Sequence, residues 1–110
     1  MKCLYALAIS AFLVSGISFA GMDKGYYPNA RDVCQVHAQL KAGKRLPIDP
    51  QRAAIAKVEL INKGRNLKVT AWDHDGSKQV ECTCIVGPGD ADLYPSVRLA
   101  EPPSCSTKAG

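Results

Sequence analysis

Apolar and polar residues alternate along three successive segments between residues 53 and 86, and two glycine-containing turns separate these segments. Lys63-Gly64 marks the first turn and Asp75-Gly76 the second, and Asp-Gly is a strong signal for a two-residue hairpin. Alternation with a period of two is typical of strands that bury one face. The pattern therefore predicts a three-stranded antiparallel meander.

The two turns also predict the register of this meander. If Asn62 pairs with Arg65 and His74 with Ser77, both hairpins place the same residues of the middle strand on the same face. One face then carries three apolar rows, which are Leu60-Leu67-Cys84, Val58-Val69-Cys82 and Ala56-Ala71-Val80. The opposite face carries Ile55 facing Trp72, with Ile61 and Ile85, around a charged centre of Lys57, Glu59, Lys68, Thr70 and Glu81.

A helix is predicted before the meander. Asn29 is expected to be its N-cap, and Gly43 is expected to follow its last turn. Between these two residues, apolar or weakly polar side chains recur at helical spacing, namely Ala30, Val33, Cys34, His37 and Leu40. This stripe is predicted to pack against the sheet.

Residues 50–63 admit a second interpretation. Asp49 and Pro50 could begin a helix that Gly64 ends, with a stripe of Ala54, Ile55, Val58 and Ile61. Leu60 would then point away from the stripe, whereas the strand register uses it. The sequence favours a strand here and leaves the helix open.

The composition changes at residue 87 to glycine, proline and serine. This predicts a tail over residues 87–110 with little regular structure beyond a short strand around residues 96–99. The expected fold class is therefore α+β: one N-terminal helix packed on a three-stranded antiparallel β-meander, in a small disulfide-stabilised domain with an irregular C-terminal tail.

The first twenty residues have the pattern of a secretory signal peptide. Lys2 precedes an apolar run from Leu4 to Phe19, and Ser18-Phe19-Ala20 places small residues at the cleavage positions. The run is shorter than the roughly twenty residues that span a bilayer, and Cys3 lies before it rather than after it, unlike a lipoprotein cysteine. Residues 1–20 are predicted to be cleaved, leaving a single domain over 21–110 that is secreted or periplasmic and is not inserted in a membrane.

Cleavage would remove Cys3 and leave an even set of cysteines, which in a small exported domain indicates disulfides. Cys82 and Cys84 point to the same face of a predicted strand and diverge, so they are poorly placed to bond each other. Two connectivities remain open: Cys34–Cys82 with Cys84–Cys105, or Cys34–Cys84 with Cys82–Cys105. Either one ties the tail to the domain.

A metal site of Cys34, His37, Cys82 and Cys84 is the alternative role for the cysteines. One residue separates Cys82 from Cys84 instead of the two typical of zinc sites, and exported thiols oxidise. The segment Asp73-His74-Asp75-Gly76 lacks the distal ligands of a calcium loop and is interpreted as a turn. No metal and no other cofactor is expected.

Charge and catalytic motifs give little sign of nucleic-acid binding or catalysis. The chain has 14 Lys and Arg against 10 Asp and Glu, and losing Lys2 leaves a net charge of +3 without any block of like charges. Only His37 and His74 supply imidazoles, and no Gly-x-Ser-x-Gly motif occurs. Carboxylate pairs are limited to Asp73 with Asp75 and Asp90 with Asp92, which are expected to be exposed to solvent in the turn and the tail. The protein is therefore predicted not to be an enzyme and not to bind nucleic acid.

Surface recognition remains as the expected activity. The sequence predicts a soluble exported non-enzymatic module that binds another envelope or extracellular protein, for example as an inhibitor of an exported enzyme. The alternatives are a subunit of an envelope assembly, a small Cys/His metal-binding protein and a small secreted hydrolase. The predicted binding residues are Trp72, Ile55, Lys57 and Lys68, because a lone tryptophan on a charged face is a common energetic anchor. The edge strands and Tyr26-Tyr27 are further candidate surfaces.

Overall fold

The computed structural model describes residues 21–109, so the predicted signal peptide lies outside the described residues. These residues form a mixed α+β domain with two α-helices and five strands. The helices are α1 (Tyr27–Lys41) and α2 (Pro50–Ala54). The strands are β1 (Lys57–Ile61), β2 (Asn66–Asp75), β3 (Lys78–Pro88), β4 (Val97–Leu99) and β5 (Ser104–Ala109).

The sheet has five strands where the sequence predicted three, because the tail adds two. β1, β2 and β3 form the antiparallel meander, and both tail strands pair antiparallel with the second edge of β3. β5 runs along the first half of that edge, and β4 pairs with its last residues. The short strand around residues 96–99 is confirmed. The expectation of an otherwise irregular tail was wrong, since the disulfide of Cys105 holds residues 104–109 beside backbone groups that they can bond.

The first hairpin has the predicted register, with Val58 opposite Val69 and Leu60 opposite Leu67. However, β1 begins only at Lys57, and residues 50–54 are the short helix α2, whose N-cap Asp49 accepts a hydrogen bond from the Gln51 backbone amide. Each of the two interpretations of residues 50–63 is therefore correct for one part of the segment. Ile55 ends α2 and does not face Trp72.

The second hairpin is displaced from the predicted register by one residue on each strand. Asp75 pairs with Lys78, so Gly76-Ser77 is the turn, and Gly76 has φ of +64°. A glycine at the first central position is the usual solution for a two-residue turn of this kind. The displacement preserves which face each side chain occupies, and the rows become Leu60-Leu67-Val86, Val58-Val69-Cys84 and Ala71-Cys82.

Helix α1 begins before the predicted N-cap. A 3-10 turn over Lys24–Tyr26 precedes it, and the Asp23 carboxylate caps that turn by accepting a hydrogen bond from the Gly25 backbone amide at 2.8 Å. Asn29 therefore lies inside the helix, where its side-chain amide donates to the carbonyl of Pro95 at 3.1 Å. The helix ends at Lys41, close to the predicted stop at Gly43.

The buried face of α1 is rotated from the predicted stripe. Leu40 is 53% exposed and His37 is only partly buried, whereas the fully buried side chains are those of Ala30, Cys34, Gln35, Ala38 and Gln39. Small side chains let the helix approach the sheet closely. The two buried glutamines bond to backbone groups: the Gln35 amide donates to the carbonyl of Trp72, and the Gln39 amide donates to that of Pro47.

Two disulfides join the tail and α1 to the inner face of the sheet. They are Cys34–Cys84 and Cys82–Cys105, which is one of the two connectivities that the sequence left open. Around them the core contains Leu67, Val69, Ala71, Val80 and Val86, all at most 1% exposed. A domain this small buries a limited core, and the two crosslinks compensate.

Candidate functional site

The face of the sheet opposite α1, called here the outer face, is the candidate recognition surface. Helix α1 is bonded to the other face through Cys34–Cys84, and α2 packs against α1. Strand register places the following residues on the outer face: Lys57, Glu59, Ile61, Asn66, Lys68, Thr70, Trp72, His74, Gln79, Glu81, Thr83, Ile85, Gly87, Arg98, Ser104, Ser106 and Lys108.

Trp72 lies on this face in β2, two residues beyond the last residue of β2 that pairs with β1, and is half-buried. Its indole Nε1 donates a hydrogen bond of 2.9 Å to Oε1 of Glu81, the residue directly opposite on β3. Behind it, the Trp72 carbonyl accepts from the Gln35 amide at 3.2 Å. The tail does not fold over Trp72, because β5 extends the sheet in plane and places Ser106 beside Glu81. The indole is therefore held in place on an open face.

The structure brings together three of the four predicted binding residues. Lys57 and Lys68 are exposed on the outer face, opposite Thr70 and Glu59, and share that face with Trp72. Ile55 is not among them: it is 61% exposed at the end of α2. Its inclusion in the predicted apolar pair was wrong, because the chain turns as a helix before it becomes a strand at Lys57.

The outer face is polar and carries an excess of positive charge. One row across the sheet consists of Ser104, Thr83, Thr70 and Lys57, so hydroxyl groups lie beside the row that holds Trp72. The cations of the face are Lys57, Lys68, Arg98 and Lys108, and its carboxylates are Glu59 and Glu81. A single fixed aromatic among hydrogen-bonding groups is the composition of many protein-recognition surfaces.

Asp73 is buried rather than exposed in the turn, contrary to the sequence expectation. It is 1% exposed on the inner face, and its Oδ1 accepts from the Lys44 ammonium and from the backbone amide of His74. The Lys44 side chain reaches it from the connection after α1 and stays 47% exposed. His74 itself is exposed, and its Nδ1 lies 3.2 Å from Nη1 of Arg52. This arrangement neutralises a buried carboxylate and positions no nucleophile.

A tyrosine cluster lies at the N-terminal end of α1. The rings of Tyr26 and Tyr94 meet edge to face with centroids 5.1 Å apart, and the Tyr94 hydroxyl donates to Asp23 Oδ1 at 2.8 Å. This hydrogen bond to the carboxylate raises the pKa of Tyr94 above its ordinary value of 10.0. The predicted Tyr26-Tyr27 surface is thus partly packed, since both side chains also contact the core.

Two surface cavities accompany these features. One of about 230 Å³ lies between the helices and is lined by Pro28, Arg31, Asp32, Pro50, Ala53 and Ala54. The other, of about 370 Å³, lies at the β1–β2 turn and is lined by Asn62, Lys63, Arg65 and Asn66. The second cavity opens at the end of the outer face, and sequence reasoning missed it because its shape depends on the conformation of the turn.

Residues 21–109 contain no cluster of three or more histidine, cysteine or acidic side chains arranged to hold a metal ion. Over the same residues, no helix is long and apolar enough to cross a membrane. Comparisons with protein-family models, curated proteins and solved structures find no match to this chain. The function must therefore be argued from the geometry of the surface.

Proposed function

We propose that this protein is an exported, non-enzymatic binding module that recognises another protein through the outer face of its sheet. The observation that supports the proposal most directly is Trp72, a half-buried indole that donates a hydrogen bond to Glu81 on the face of the sheet opposite α1. Tryptophan is strongly enriched among the residues that dominate binding energy.

The rigidity of the domain also supports this proposal. The inner face is closed by α1 and crosslinked by two disulfides, so the strands that carry the outer face have little freedom to rearrange. A surface that is already ordered loses less conformational entropy on binding, which favours affinity. Inhibition of an exported enzyme is one activity that such a rigid face could perform.

Position-specific photo-crosslinking in the exporting cell tests the proposal. A photoreactive amino acid at Thr83, on the outer face, is expected to form an adduct with a specific protein. The same probe at Gln51, which is exposed on α2, serves as the control and is expected to form no such adduct. Equal adducts from both positions, or none from Thr83, would show that the outer face is not the recognition surface.

A further inference from the structure

The β1–β2 turn and the adjacent end of the outer face bring four cations together. Lys63 and Arg65 belong to the turn and line its cavity of about 370 Å³ together with Asn62 and Asn66. Lys68 lies two residues along β2 from Asn66, on the same face. Arg98 lies in the same row as Asn66, separated from it only by Gly87, which has no side chain. We call Lys63, Arg65, Lys68 and Arg98 the cationic corner.

None of these four cations forms an ion pair with a carboxylate of the described residues. Among the described residues the only ion pair joins Lys44 to Asp73, so no carboxylate lies within 4.0 Å of the cationic corner. Glu59 is directly opposite Lys68 on β1, but the two side chains form no ion pair. Asp90 and Asp92 follow β3, the strand next to β2, and the Asp90 carboxylate accepts the backbone amide of Asp92.

The turn is held rigidly in a conformation that most side chains avoid. Asn62 and Lys63 have φ of +52° and +57°, in the left-handed region where residues other than glycine are strained. The Gly64 carbonyl accepts from the Met22 amide at 2.7 Å, and the Asn62 side-chain amide donates to Asn66 Oδ1 at 2.8 Å. These two hydrogen bonds order the backbone and the carboxamides beside which Lys63 and Arg65 extend.

We infer that the cationic corner binds an acidic segment of the protein partner, an inference that rests on the proposed function. Arg and Lys side chains form charge-assisted hydrogen bonds with carboxylates, and the free carboxamide oxygen of Asn62 can accept a backbone amide from the same segment. The four cations are spread over the turn, β2 and β4 and do not follow one another as a block along the chain. This spacing suits an acidic peptide better than a nucleic-acid backbone or a lipid surface.

A hexaglutamate peptide is the probe. Titrated into the isotope-labelled mature protein at about 20 mM NaCl, where screening is weak, it is expected to shift the amide resonances of residues 62–68 and Arg98 most strongly. The variant Lys63→Glu/Arg65→Glu is expected to weaken peptide binding about tenfold, because two attractive contacts become repulsive. Both residues are exposed, so the variant is expected to keep the resonance dispersion of the folded protein.

The variant Arg45→Glu/Lys78→Glu is the matched control. It makes the same change in net charge on two exposed residues that do not lie on the outer face, and it is expected to weaken peptide binding less than about twofold. Equal weakening by both variants would mean that the peptide senses only net charge and would overturn the inference. Tighter binding of a hexathymidine oligonucleotide, or of phosphatidylcholine vesicles containing phosphatidylglycerol, would also overturn it. If the hexaglutamate peptide does not bind but the photoreactive residue at Thr83 still forms its adduct, the inference of an acidic segment is refuted and the proposed function is not.

Discussion

Polar side chains at buried positions explain several features that hydrophobic patterning misses. Asp73, Gln35 and Gln39 are each at most 2% exposed, although apolar residues occupy the neighbouring inner-face positions. Each has a specific partner: Asp73 bonds to Lys44, Gln35 to the Trp72 carbonyl in β2, and Gln39 to the Pro47 carbonyl in the connection after α1. The Oε1 atom of Gln35 is buried without a hydrogen-bond partner in the described chain. Such groups favour one arrangement of helix, connection and sheet, since misplacing them leaves them unsatisfied.

Removing Lys44 tests this interpretation. The substitution Lys44→Met is expected to lower the free energy of unfolding by about 2 kcal/mol, because it leaves the Asp73 carboxylate buried without its cation. Lys41→Met, at an exposed position on α1, is the control and is expected to cost less than about 0.5 kcal/mol. Urea denaturation measures both values. Equal effects for the two variants would show that the ion pair contributes nothing to stability.

Tyr94 gives a prediction of pH dependence. Its pKa is raised by the hydrogen bond to Asp23, so this contribution to stability is complete below the ordinary tyrosine pKa and is lost as the pH rises through the raised value. Ultraviolet titration of the phenolates in Asp23→Asn is expected to show one tyrosine ionising at lower pH than in the unmodified protein. Tyr94→Phe is expected to remove that ionisation from both the unmodified protein and Asp23→Asn. A titration curve that Asp23→Asn leaves unchanged would contradict the role of Asp23 in raising the Tyr94 pKa.

At the scale of elements, the sequence predicts what short-range patterns specify. The first-hairpin register, the buried face of the middle strand and the short strand at residues 97–99 follow from alternation and turn residues. The second-hairpin register does not, because Asp75-Gly76 and Gly76-Ser77 are both acceptable two-residue turns and both keep the same side chains on each face. The start of α1 was missed since Asp23 caps a 3-10 turn that continues into the helix.

The sequence also predicted part of the candidate site. The outer face contains Trp72, Lys57 and Lys68, as the alternating pattern predicted. Ile55 does not lie on it, because Ile55 ends α2 and β1 begins only at Lys57. Ser104, Ser106 and Lys108 join the face only through β5. No local pattern marks this strand, because the disulfide partner of Cys105 determines which edge it joins.

The contribution of β5 can be tested through that disulfide. The double variant Cys82→Ala/Cys105→Ala is expected to lose about 3 kcal/mol of stability, the value for closing a loop of this length. Hydrogen exchange is expected to accelerate selectively at residues 104–109, since the core disulfide Cys34–Cys84 still holds α1 on the sheet. A uniform acceleration across β1, β2 and β3 would instead indicate that β5 is integral to the folding unit.

The whole molecule combines one closed face with one open face. Helix α1 and two disulfides stabilise the inner face, and the outer face presents Trp72 near the β2–β3 turn and the cationic corner at the β1–β2 turn. This asymmetry is what the proposed recognition function requires. The disulfides also accord with export into an oxidising compartment, which the sequence predicts from residues 1–20.

Export and oxidation give a prediction for the mature protein. Intact mass is expected to show a chain starting at Gly21, and a denatured, unreduced sample is expected to gain no alkylated thiol. Reduction is then expected to expose the four cysteines at positions 34, 82, 84 and 105. Two or more alkylated thiols before reduction, or a metal adduct in the native spectrum, would instead favour a functional Cys/His site.

Replacing Trp72 by threonine tests the central claim most directly, because threonine occupies the neighbouring outer-face positions and preserves strand propensity. The photo-crosslinked adduct from Thr83 and the free energy of unfolding are measured on the same variant. If the outer face is the recognition surface, Trp72→Thr abolishes the adduct while lowering stability by no more than about 1.5 kcal/mol, as expected for a side chain that is only partly buried. An adduct that persists while stability falls by more than about 3 kcal/mol would show that Trp72 belongs to the core and that recognition occurs elsewhere.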